Sequence, residues 1–281
     1  MSGQNAVRSP SGWRRYRLLW VGGLLVALVC LAALCAPWVT PYSPYDLDVA
    51  DMLQAPSATH WLGTDEIGRD VLSRTVFAAR ISLQVGLVAV AVGLFGGLLI
   101  GVVAGYWGGL LDLALMRAME LLFSFPAILL AIVLMAVLGT SILNAMVAIG
   151  IIFIPGFARL ARVSTQKVLR QSYIDAARTI GMADARILQR EILPNVMTPL
   201  LVEAMTAFAY AVILESSLSF LGLGAQPPEP SWGNMLSTGR GFMAQAPWLA
   251  IVPGAALFVG VLGFNLLGDG LRDFFDPRMK D

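Results

Sequence analysis

Charge is what this sequence has least of. Only 13% of its residues are charged, 19 Lys and Arg against 18 Asp and Glu, where soluble domains carry about 25%. With 57% hydrophobic residues and a mean hydropathy of +0.74, the composition is that of an integral membrane protein. A net charge of +1 leaves no electrostatic footprint for nucleic acid. His60 is the single histidine, which argues against a His-ligated metal centre and against His-based catalysis. Cys30 and Cys35 share one apolar segment, and five residues on a helix point them to different faces, so neither a disulfide nor a metal pair is expected. No GxxxxGK[ST] stretch is present to cradle ATP phosphates, and HExxH, GxSxG and CxxC are missing too. The Gly-rich LFGGLLIGVVAGYWGG lacks the Lys and hydroxyl of a P-loop. The chain therefore offers no catalytic residue, metal site or cofactor of its own.

Long apolar runs are what it has. A polar arm, residues 1–17, carries Arg8, Arg14, Arg15 and Arg17. Leu18 to Trp38 (18–38) then runs apolar for about 31 Å of helix, enough to span a bilayer core. This run exceeds the apolar region of a usual signal peptide and closes on no small-residue cleavage site, so it reads as an uncleaved first span. Residues 39–80 form a polar loop, kept extended at its start by Pro37, Pro41, Pro44 and Pro56. Within it, Asp65 is expected to cap a short interfacial helix that buries Val71, Leu72, Val76 and Ala79. Asp65, Arg69, Asp70 and Arg74 read as a solvated, self-paired cluster.

Residues 81–272 hold five further spans. Ile81 to Gly105 carries Gly93, Gly97, Gly101 and Gly105 at every fourth position, a smooth ridge that lets helix backbones approach closely. The next span opens amphipathically with Asp112, Arg117 and Glu120, where local pairing is expected, and its apolar body to Leu138 contains Pro126. Ile142 to Ala158 contains Pro155, and both prolines predict kinks. The fifth span, from Pro199 to about Leu221, carries Glu203 near the loop end, where it can reach the interface. Glu215 lies deeper, lining a pathway or pairing structurally, the second being favoured. After a Pro-rich loop (225–246), Pro247 to Leu267 completes six spans, followed by the tail 273–281.

The longest polar interval that still reads as a helix is Tyr173 to Pro199, YIDAARTIGMADARILQREILPNVMTP. Ala176, Ala177, Ile180, Ile187, Leu188 and Ile192 recur at helical spacing, against a wet face of Arg178, Asp184, Arg186, Arg190 and Glu191. Gly181 interrupts the pattern at a cost of roughly 1 kcal/mol relative to Ala. The expected result is two short helices and a turn, a knob shaped to sit in a groove on another protein.

Asp175-Ala176-Ala177, then Gly181, then Ile192-Leu193-Pro194 resemble the EAA loop of ATP-binding cassette (ABC) importer permeases, with Asp175 where Glu is usual. LGTDEIGRDVLSR (Leu62 to Arg74), ESSLSFLGLG (Glu215 to Gly224), AQPPEPSWGNML and the Asn265 to Asp273 ending are similar to the dipeptide, oligopeptide and nickel branch of that family. The resemblance runs from about His60 to Arg278 and is poorest in the N-terminal arm. It implies an all-α membrane protein with six transmembrane helices, of the type I importer permease kind. It also implies a cytoplasmic coupling loop at 159–197, in which Asp175, Ala176, Ala177, Gly181, Ala183, Ile192 and Pro194 dock an ATPase. Glu215, Glu120 and Asn265 become candidate pathway or intersubunit residues. The implied partners are a homologous second permease subunit, two ABC ATPase subunits that bind ATP and Mg, an external solute-binding protein and the lipid bilayer. Dipeptides or oligopeptides are the first substrate class and a nickel chelate the alternative.

Six spans put both termini on the side of the 159–197 loop. Fifteen of the 19 Lys and Arg fall on that side, and only Arg69, Arg74, Arg80 and Arg240 on the other. The positive-inside rule makes it cytoplasmic, as for a prokaryotic inner-membrane protein with both termini inside. An ion-coupled carrier using Glu120, Glu203 and Glu215 as relay groups is a rival reading, but the inverted repeat common in such carriers is not visible.

Overall fold

The computed structural model describes residues 17–275, so most of the expected arm and the end of the expected tail lie outside it. The first apolar run forms α1 (Arg17–Val39), within a residue of its expected limits. The second element is α2 (Val71–Trp107), a single rod of 37 residues, about 55 Å long at 1.5 Å per residue. The interfacial helix and the second span expected as separate pieces are therefore one helix. Its polar first turns do not break it, because their side chains are satisfied inside the protein: Arg74 Nη1 donates to the Pro44 carbonyl at 3.0 Å and Thr75 Oγ1 to Val71 at 2.7 Å. The cap is Asp70, not Asp65. Asp70 accepts the Ser73 N–H at 2.8 Å, while Asp65 accepts the Ile67 and Arg69 N–H groups and closes the turn before the helix.

The glycine ridge of α2 lies against α5 (Ile142–Leu169). A Cβ on Gly97 would sit 2.8 Å from the Ala158 backbone nitrogen, and one on Gly101 2.6 Å from Ala161 Cβ. Only hydrogen at these positions lets the two backbones come this close. α5 keeps Pro155 within a continuous helix and runs well past Ala158. Ala158, Ala161, Thr165 and Val168 stay buried while Arg159 faces out, so the amphipathic pattern carries the helix into the segment expected to be loop from 159.

Between them in the chain come α3 (Gly109–Phe123) and α4 (Ala127–Leu138), bent by 93° at their junction. Pro126 has no N–H to continue α3, and its extended ψ of 129° turns the expected kink into a corner. Arg117 pairs with Glu120 at 2.7 Å as expected. Asp112 does not join them; both of its oxygens take Arg162 of α5 at 2.5 Å.

Two short elements, α6 (Ser172–Thr179) and α7 (Asp184–Ile187), lead through a π turn (Leu188–Ile192) into α8 (Leu193–Phe220). The expected Pro-rich loop contains a further helix, α9 (Trp232–Gly241). Ser231 and Asn234 cap it reciprocally, a capping box with Asn in the usual Glu or Gln position. The chain ends in α10 (Trp248–Phe275), packed along α1. Among the described residues, five helices are long and apolar enough to cross a membrane, and the bent α3–α4 pair makes up to six.

At the start of α2, residues 40–70 fold with α9 into a polar cap. The cluster expected there is self-paired but buried, not solvated: Asp65, Asp70 and Arg74 are each 5% exposed or less. Arg69 Nε reaches Asp65 at 2.6 Å and His60 Nδ1 lies 3.0 Å from Asp70, with Tyr42 stacked on the imidazole. Trp248 and Trp232 clamp the cap by donating to the Thr64 and Thr75 carbonyls. Burial, then the neighbouring Asp65 charge, pushes the Glu66 carboxyl above its ordinary range.

Candidate docking and transport sites

The hairpin at the far end of α2 is built by a helix stop. Gly181 N–H bonds to the Arg178 carbonyl and Met182 N–H to that of Ala177, both at 3.0 Å. With Gly181 at φ +76°, this is a Schellman ending, which glycine adopts without the strain a side chain would add. Ile174 and Ala177 of α6 and Ile187 and Ile192 beyond the turn are buried and anchor the knob. Tyr106 OH donates to Asp184 at 2.5 Å, tying it to the end of α2. Pro194 follows the π turn, in which Leu193 N–H bonds back to Leu188. That shifted register absorbs the N–H that Pro194 does not have.

Two of the residues expected on the inner face are outside. Ala176 is exposed and Ile180 is 78% exposed. The stop at Gly181 resets the helical phase, so a single periodicity across 173–192 does not hold, and Ile174, which it omitted, is the buried anchor. Asp175, Ala176, Gly181 and Ala183 share the exposed surface with Ile180, and a Cβ on Gly181 would meet nothing within 4 Å. The arrangement presents a rigid backbone turn with an apolar tip.

The three candidate pathway residues do not come together. Glu215 is fully buried and accepts from Ser219 Oγ at 2.6 Å, a structural place. Glu120 is exposed and paired with Arg117. Asn265 spends its amide on the Val261 carbonyl of its own helix at 3.0 Å. A span carboxylate outside those three, Glu203, is exposed where two cavities of about 430 and 750 Å³ share a lining. The signal for it in the sequence is the Glu203, Thr206, Ala207, Tyr210 stripe, one face of a helix.

The family profile described as the binding-protein-dependent transport system inner membrane component matches residues 97–281. A second, the N-terminal TM domain of oligopeptide transport permease C, matches residues 12–56, which lie before the His60 start of the resemblance drawn from the motifs. A dipeptide transport system permease protein of Alkalihalophilus pseudofirmus is 43% identical over 95% of this chain and 88% of its own length. A glutathione transport system permease protein of Pectobacterium atrosepticum is 44% identical over 98% and 93%. Among solved structures, the MetNI methionine ABC transporter in an inward-facing conformation superposes with a TM-score of 0.57 at 18% identity, over 69% of this chain and 93% of that one, which establishes a shared fold. The chain belongs to the family of binding-protein-dependent transport system inner membrane components and is a permease subunit of an ABC importer.

Proposed function

We propose that this chain is one of two homologous permease subunits of a peptide importer. The α6–α7 hairpin docks an ATPase subunit on the cytoplasmic side. The single observation that carries the docking is the exposed tip of that hairpin, Ile180 beside Gly181, held out by four buried anchors. An apolar side chain so exposed, with charged neighbours, suits a groove on a soluble partner. Two ATPase subunits bind ATP and Mg, and their closure moves the hairpin. The packed α2–α5 unit passes the shift to the spans, giving alternating access. Such coupling requires the two states to differ in their contacts with the hairpin. An external solute-binding protein delivers cargo to the polar cap.

Peptides are the substrate class supported by the dipeptide and glutathione permeases among the relatives, glutathione being itself a tripeptide. The charge distribution along the sequence supports cytoplasmic termini in the inner membrane. The test is uptake of labelled dipeptide, glutathione and nickel by cells lacking only this chain. A peptide defect, restored by the intact chain but not by Gly181→Trp, is expected. A defect confined to nickel would replace the substrate, and full rescue by Gly181→Trp would remove the docking role.

A further inference from the structure

A groove runs along α5 and α8. Beneath the α3–α4 corner its wall is aromatic, with Phe153 and Tyr210. Towards the hairpin it carries Lys167 and Arg272. Glu203 and Thr206 line both parts, and Glu203 stands ten residues into α8, inside a candidate span. Among the described residues, the Glu203 carboxylate has neither an ion pair nor a hydrogen bond. The side chains of Lys167 and Arg272 likewise lack an acidic partner. Three further carboxylates of the helices are satisfied within the chain, Glu215 by serines, Glu120 by Arg117 and Asp112 by Arg162, while Asp269 and Asp273 stand near the end of α10. A carboxylate in a span is costly unless it faces water or a cation. Here no fixed cation answers it, while both signs of charge stand unpaired in one cavity.

A peptide in transit has the complementary pattern: an ammonium at one end, a carboxylate at the other, and side chains between. We infer that Glu203 holds the α-ammonium of the peptide as it passes, with Arg272 facing its carboxylate and the aromatic wall receiving apolar side chains. This rests on the peptide reading above. The groove is open along one side in the isolated chain, and weak contacts suit a site that must release its cargo. The competing occupant is a cation of the second permease subunit.

The test uses the complete transporter in proteoliposomes with saturating binding protein, so that delivery is not limiting. Glu203→Gln is expected to lower the maximum rate of dipeptide uptake by about tenfold, the scale of one lost charge-assisted contact. The binding-protein concentration for half-maximal uptake and the co-purification of the subunits are expected to stay unchanged. Glu203→Asp should restore most of the rate. A wild-type rate in Glu203→Gln would overturn the inference and leave the peptide reading intact. Loss of the second permease from purified Glu203→Gln complex, with recovery in Glu203→Asp, would also overturn it by assigning the carboxylate to the subunit interface. Absence of peptide uptake by the wild-type complex would overturn the peptide reading and this inference with it.

Discussion

The two ends of α2 use charge in opposite ways. At its start, Asp65, Arg74, Asp70 and His60 are buried, and with the half-buried Arg69 they satisfy one another. At its far end, Asp175, Arg186 and Arg190 stand exposed around an apolar tip. The first end holds its shape from within. The second has a fixed backbone and an incomplete surface, which is the form expected of a part that another protein completes. Similar residues thus become architecture or interface according to whether their partners lie in the same chain.

Changes at the two ends should separate along that line. Asp65→Ala removes the carboxylate shared by Arg69 and Arg74 and the acceptor for two N–H groups. Breaking a buried pair costs roughly 3–5 kcal/mol, so thermal unfolding in detergent should show the largest loss here, in the isolated chain and without any partner. Asp70→Ala takes away the α2 cap and the His60 contact. A lost cap costs about 1 kcal/mol and a buried polar group left alone about 1–3 more, a smaller fall by the same assay.

Glu66 gives the smallest and most diagnostic effect. One of its oxygens is buried without a partner, and its carboxyl titrates above the ordinary range because of burial and the adjacent Asp65. A folded state that binds the proton more tightly than the unfolded one loses stability as pH rises from the unfolded carboxyl value through the folded one. Glu66→Gln should therefore be slightly more stable than wild type at neutral pH and lose that advantage in acid. A melting-temperature series across pH checks the sign.

Much of this was readable from the residues, and the failures have common causes. The apolar run 18–38, the glycine ridge and Pro126 act through local chemistry, so α1, a close helix contact along the ridge and a kink follow from the sequence, while the choice of α5 as the ridge's partner and the 93° corner come from the fold. The caps are harder. From the sequence the cap falls on Asp65, and only the folded turn shows that Asp70 meets Ser73. The charges of residues 65–74 look solvated because what covers them is distant in the chain: Arg74 donates to the Pro44 carbonyl, and Trp248 closes over the neighbouring Thr64. In the hairpin, the position and identity of Gly181 gave the break, but the phase change it causes hid the outward placement of Ile180. In the sequence Glu203 reads as a group near the loop end that reaches the interface. The groove that makes it prominent is formed by α5 and α10 as well as its own helix.

The docking claim is tested most directly at Ile180. Its side chain is mostly in water, so Ile180→Asp should change the stability of the isolated chain by no more than about 0.5 kcal/mol. Co-purification of the ATPase subunits with the permease pair, measured alongside that melting temperature, should be lost. A variant that keeps its ATPase partners at wild-type stoichiometry, and transports normally, would contradict the account.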